Sequence, residues 1–266
     1  LRSFDDIERE HRTALRHSAV VPVGEGRVDR AVTRIINERT QRFFGREAEL
    51  AALDTWRQSS DRGIKLVLAP AGLGKSALLA NWIGHRREQG DRVLQHFFAH
   101  RLPETVEATS AMDYLWRQHQ ELSGQTQPSA PLDRERLGNA LAAELGRDQS
   151  QPLILVLDGL DEASEDFPNF LPAGGVGKNV QVVLGVRDDG TERIPKVALR
   201  WLDERDAAAR RDPVCLKPLD LPAIRAWLLA ERPDLVASDL DPWLRQLMIA
   251  SDGVPLFLHF LFDDVR

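Results

Sequence analysis

Cysteine is nearly absent: the 266-residue chain has one, Cys215. A lone thiol excludes an internal disulfide framework and any zinc site built on a cysteine cluster, and it fits a reducing compartment. Long apolar runs are missing as well. The longest, such as Leu153–Leu157, fall far short of the ~18–20 residues a membrane helix needs. No basic stretch followed by an apolar one opens the chain, as a signal peptide would. There is no basic excess either. Lys and Arg total 35 against 41 Asp and Glu, a net charge of −6, which argues against a generic nucleic-acid coat. Internal repeats and long low-complexity segments are lacking. What remains is 42% apolar and 29% charged residues, enough for a real core. The length allows one large domain or two small ones at ~100–200 residues each. The expectation is a soluble, cytoplasmic protein. The abrupt ends at Leu1 and Arg266 suggest a piece of a longer one.

Residues 1–40 read differently from the rest. Ser3–His17 carries a thin apolar stripe of Phe4, Ile7, Ala14 and Leu15. Ala19–Val23 reads as a short extended piece, and Arg27–Glu38 as a short helix with Val28, Val32, Ile35 and Ile36 on one side. The whole stretch reads as a connector. From Phe43 the pattern is regular. Helix is expected over Glu47–Gln58, with Leu50, Leu53 and Trp56 facing a core. Strand follows at Ile64–Leu68, helix at Lys75–Glu88 and strand at Val93–Ala99. Helices at Ser110–Leu122 and Asp133–Leu145 flank a polar loop, Ser123–Pro131. Further strands are read at Leu153–Leu157, Val180–Val186 and Pro213–Leu216. This alternation predicts an α/β fold with a mostly parallel five-stranded sheet covered on both faces, three layers in all. After Pro218 the pattern is helical: Pro222–Glu231, Leu240–Ser251 and Pro255–Val265. The expected division is a linker over 1–40, an α/β domain over 41–217 and a small helical subdomain over 218–266.

Two motifs carry chemistry. Ala69-Pro-Ala-Gly-Leu-Gly-Lys-Ser76 matches the phosphate-binding loop G-x-x-x-x-G-K-[ST], with Ala69 in place of the first glycine. Gly72 and Gly74 let the backbone curl so that successive N–H groups face phosphate oxygens. Ala71, Leu73 and Ala77 complete the cradle, and the following helix adds its N-terminal dipole. Lys75 reaches the β- and γ-phosphates, and the Ser76 hydroxyl can ligate Mg²⁺. A second glycine cluster, Pro172–Asn179, lacks the hydroxyl and leads into a strand, so it reads as a plain loop. The other motif is Leu153-Ile-Leu-Val-Leu-Asp158-Gly-Leu-Asp161-Glu162, a buried strand ending in a carboxylate, as in a Walker B motif. Asp158 would emerge at the carboxyl edge of the sheet and hold Mg²⁺ through water. Asp161 or Glu162 would act as general base or orient the attacking water. Three carboxylates this close repel one another unless a cation sits among them, which argues for the metal. Arg187, at the end of the Val180–Val186 strand, would point toward the third phosphate; otherwise it would pair with Asp188 or Asp189.

The extra strand between the two motifs is similar to that of the additional-strand, catalytic-glutamate P-loop proteins. No Asn-Lys-x-Asp guanine-reading motif is present, which favours adenine. The chain resembles a STAND-class signal-transducing ATPase, nearest the NACHT side, over Phe43 to Arg266. The residues that carry this are Phe43-Phe-Gly-Arg-Glu47, the phosphate loop, Asp158-Gly-Leu-Asp-Glu162, Arg187 and Gly253-Val-Pro255. The resemblance implies that Gly45 and Arg46 lie near adenine and ribose and that Pro255 lies against the base. It also implies ATP and ADP as ligands, slow Mg²⁺-dependent hydrolysis, and self-association on activation in immune or antiphage signalling. An effector would precede residue 1, and a winged helix and sensor would follow residue 266. The alternative is an AAA+-like motor working as a ring. It would draw an arginine finger from Arg200, Arg205, Arg210 or Arg211, and a second sensing arginine from Arg225 or Arg245. His96 and His100 are set aside as metal ligands because a strand running into a loop does not place them on one face. The six tryptophans, Trp56, Trp82, Trp116, Trp201, Trp227 and Trp243, read as packing residues.

Overall fold

The computed structural model of the protein describes residues 26–59, 62–125, 132–189, 193–202, 206–233 and 237–264. The stripe expected over Ser3–His17, the piece Ala19–Val23, most of the loop ending at Pro131, and Arg205 lie outside these. The elements in chain order are α1 (Arg27–Thr40), α2 (Glu47–Ser59), β1 (Arg62–Ala69), α3 (Lys75–Glu88), β2 (Arg92–Phe97), α4 (Pro103–Val106), α5 (Ala108–Leu122) and α6 (Arg134–Gly146). There follow β3 (Leu153–Asp158), a 3₁₀ turn at Leu160–Glu162, β4 (Val180–Arg187), α7 (Lys196–Leu199), α8 (Ala207–Arg211) and β5 (Val214–Cys215), then α9 (Leu221–Glu231), α10 (Ala237–Ser251) and α11 (Pro255–Asp264).

The five strands form one sheet in the order β2-β3-β4-β1-β5, and every pairing is parallel. Parallel strands need covered faces, and the strand sequences are apolar on both sides. Successive residues divide between two cores with period two. In β3, Leu153, Leu155 and Leu157 face the core built with α5 and α6. Ile154 and Val156 face the opposite core, built with α1, α2 and α3. The helix read over Arg27–Glu38 is there and buries Val28, Ala31, Val32, Ile35 and Ile36. In its packing it belongs to this second core. The helical subdomain has a core of its own, including Ile224, Trp227, Leu244, Leu258 and Phe262. The short α4 has no counterpart in the sequence reading. It is a single turn opened by Pro103, too brief for periodicity to mark.

His96 is fully buried in β2, as expected of a core histidine. Its Nε2 donates to the Thr105 carbonyl at 2.7 Å, so the neutral tautomer carries its proton there. Burial pulls its pKa from 6.5 down to about 4. A histidine depressed in the folded state contributes its full stability above the unfolded value of 6.5. That contribution is lost as pH falls from there toward 4. The gap corresponds to roughly 3 kcal/mol. Urea unfolding at pH 7 and pH 4.5 should therefore show an acid loss that His96→Gln reduces. Equal acid sensitivity in both proteins would remove His96 as the cause.

Candidate functional site

The site lies at the carboxyl ends of β1, β3 and β4, where an open parallel sheet offers its ligand crevice. Ala69 ends β1 directly beside Arg187 of β4. The chain then turns through Gly72 at φ +85° and Gly74 at φ +87°. Both values belong to the left-handed region that glycine enters without a Cβ penalty. Lys75 and Ser76 begin α3. Among the described residues the Gly74 N–H donates to no protein acceptor. With the α3 N-terminus behind it, the loop fits a chain of phosphates.

Asp158 closes β3 and is buried, at 2% exposure. Lys75 Nζ pairs with its Oδ1. Asp161 and Glu162 stand on the 3₁₀ turn just beyond. Arg187 serves them both. Its backbone N–H donates to Asp161 Oδ1 at 2.9 Å, its Nε lies 3.6 Å from Asp161 Oδ2, and its Nη2 is 3.3 Å from Glu162 Oε1. The His100 N–H donates to Glu162 Oε2 at 2.8 Å. Lys75 and Arg187 bring two positive charges to the three carboxylates and leave one negative charge over. Part of the counter-charge thus comes from side chains of α3 and β4, and the remaining negative charge still fits a cation beside Asp158. Among the described residues no three His, Cys, Asp or Glu side chains converge on a metal point. A magnesium ion at Ser76 and Asp158 would take the rest of its shell from phosphate oxygens and water.

The segment before α2 ties the site to the helical subdomain. Phe43 packs into the sheet's second core, whereas Phe44 stacks on Trp227 with ring centroids 5.5 Å apart. Arg42 Nε pairs with Glu231 at 2.9 Å. Gly45 is pressed against Ala223, which a Cβ would approach to 2.8 Å. Arg46 takes φ +78°, a left-handed conformation that costs a non-glycine residue about 1–3 kcal/mol. Its Nη2 donates to the Leu73 carbonyl at 2.9 Å and its Nη1 to Glu49 at 2.8 Å. The Leu256 N–H donates to the Gly72 carbonyl at 3.2 Å. A Cβ on Gly74 would stand 3.9 Å from Pro255 Cγ. A cleft of about 920 Å³ opens beside this segment, between α2, β5 and α9. It is lined by Arg46, Trp56, Lys65 and Cys215 among others, and by none of residues 70–76.

Residues 42–173 match the family model of the AAA ATPase domain. The chain has the α/β fold of a P-loop NTPase. The Walker-type ATPase PABY2304 of Pyrococcus abyssi is similar to it in structure, with a TM-score of 0.50 and 17% identity over 81% of this chain and 65% of that one. A RuvB variant of Thermotoga maritima gives 0.43 and 13% over 84% of this chain and 63% of its own. The chain thus spans a little under two thirds of either. No curated protein matches it in sequence. Among the described residues no helix is long and apolar enough to cross a membrane.

Within this fold, the sequence reading did not single out Gly185. It faces Asp158 across the β3–β4 pairing. A Cβ there would overlap Asp158 Oδ1 and lie 2.8 Å from Leu79 Cδ1. The available signal was a glycine in a strand of branched residues, which often marks a close approach. Gly185→Ala should cost about 1–3 kcal/mol by overpacking and push Asp158 off Lys75. Thermal unfolding with and without Mg–ATP checks this. An unchanged midpoint with an unchanged ATP-induced shift would count against it. The role of the His100 backbone was also missed, since any residue supplies an N–H. Gly159, after the first aspartate, sits at φ +77°, and a Cβ would come within 2.7 Å of the Phe98 carbonyl.

Proposed function

We propose that the protein binds ATP and ADP in the phosphate loop and works as a slowly hydrolysing, nucleotide-controlled switch of the STAND/NACHT kind. The observation that carries this reading is the double grip on the loop. Arg46 holds the Leu73 carbonyl, and Leu256 of the helical subdomain holds the neighbouring Gly72 carbonyl. Phosphates that reshape the loop therefore act on the docking of the subdomain, which is a differential contact of the sort a population shift needs. Slow turnover follows from the pairing within the site. Lys75 must leave Asp158, and Arg187 must leave Asp161 and Glu162, before either cation meets a phosphate.

In this reading Gly72, Leu73, Gly74, Lys75, Ser76 and Ala77 cradle the phosphates. Gly45 and Pro255 border the base, and Ser76 and Asp158 hold Mg²⁺. The metal supplies charge neutralisation on the phosphate oxygens. Glu162 takes the proton of the attacking water, and Arg187 senses the third phosphate. The protein acts in the cytoplasm, with an effector and a sensor elsewhere in the polypeptide.

A second reading, a ring-forming AAA+ motor, is favoured by the family match and by the basic residues Arg200 and Arg211 exposed between β4 and β5. Nucleotide content and solution mass of the purified full-length protein, before and after Mg–ATP, separate the two. Co-purified ADP and ATP-driven assembly without sustained turnover support the switch. An empty site, a pre-formed ring and fast continuous hydrolysis support the motor.

A further inference from the structure

We infer that Arg46 is a positioning residue of the phosphate loop, acting on the phosphate chain through Leu73 without touching the nucleotide itself. The inference rests on the nucleotide reading above and departs from the base-side contact that the family resemblance implies. The guanidinium is buried, and its described partners are the Leu73 carbonyl at 2.9 Å and the Glu49 carboxylate at 2.8 Å. A trans peptide points its C=O and its N–H in opposite directions. Pinning the Leu73 carbonyl on the Arg46 side therefore turns the Gly74 N–H the other way. That N–H has no acceptor among the described residues. Were the same peptide flipped, a carbonyl oxygen would face the phosphates and a donor would be lost, a change of sign at the place where negative charge binds. Glu49 keeps the buried cation paired and fixes its fork. The left-handed backbone of Arg46 is the local strain that this placement carries.

The test compares two probes, Mg–ATP and Mg–tripolyphosphate, which carry the same phosphates with and without a base. Binding to the wild-type full chain and to Arg46→Ala is measured by calorimetry, with circular dichroism as the check on folding. Both affinities should fall by the same factor, roughly ten-fold. Glu49→Gln leaves the guanidinium in place with a weaker anchor, and should show the same parallel loss at roughly three-fold. It also supplies the comparison if Arg46→Ala does not fold. Arg46→Lys, which can still reach one carbonyl, should recover part of the loss on both probes. A fall in ATP affinity with tripolyphosphate unchanged would mean that Arg46 meets the base or ribose, and would overturn the inference. So would no change on either probe. Wild-type protein that binds neither probe would remove the nucleotide reading, and this one with it.

Discussion

Lys75→Met abolishes nucleotide binding and destabilises the protein as well. The binding loss follows from removing the point charge that meets the β- and γ-phosphates, and should be on the order of 100-fold or more. The stability loss follows from the pair that Lys75 makes with Asp158. The aspartate side chain is 2% exposed, with Leu157 before it and Gly185 across from it. Removing one partner of a buried pair strands the other charge, at about 3–5 kcal/mol. Against a total of about 5–15 kcal/mol for a typical domain, that is a large fraction. The double variant Lys75→Met/Asp158→Asn separates the effects: stability should return while binding stays absent. Denaturant unfolding and equilibrium binding of the three proteins make the comparison. Parent-like ATP binding by Lys75→Met would show that the phosphate loop is not the site.

Glu162→Gln leaves binding within about three-fold and slows hydrolysis by roughly 10²–10⁴, the range for loss of a general base. The geometry explains why binding survives. The amide oxygen of glutamine can still accept from the His100 N–H or from Arg187, which now hold Glu162 at 2.8 Å and 3.3 Å. The proton-accepting charge is lost, and the shape is kept. Asp161→Asn should behave differently. Asp161 anchors the Arg187 backbone at 2.9 Å, so its loss loosens the arginine and should reduce discrimination between ATP and ADP more than the rate. Single-turnover hydrolysis and competitive binding of both nucleotides read these effects. If Asp161→Asn instead gives the larger rate loss, the two carboxylates exchange roles.

Most of the fold was legible in the sequence, because its signals are local. The phosphate loop is a contiguous string, and α3 begins at Lys75, where the loop pattern says the helix should start. The strands β1, β3 and β4 are apolar runs whose residues are buried on both faces, so run length and composition sufficed. Asp158 at the end of such a run placed the acidic cluster at the carboxyl edge.

The pairing inside the site was not legible. Arg187 could equally have met Asp188 or Asp189 beside it. What decides for Asp161 and Glu162 is the β3–β4 register, which sets Asp158 opposite Gly185 and brings the 3₁₀ turn under the end of β4. The same distance in sequence hid the partner of Arg46, 27 residues away in the loop, and the reach of Leu256 to Gly72. Which elements form and which residues can handle phosphate follow from local sequence, since backbone periodicity and a glycine-lysine-serine string are properties of neighbours. How the charges are partnered, and which carbonyls are held in the loop, follows from the folded packing alone. Those contacts depend on strand register and on the docking of a second core, and neither is written in any local stretch of chain.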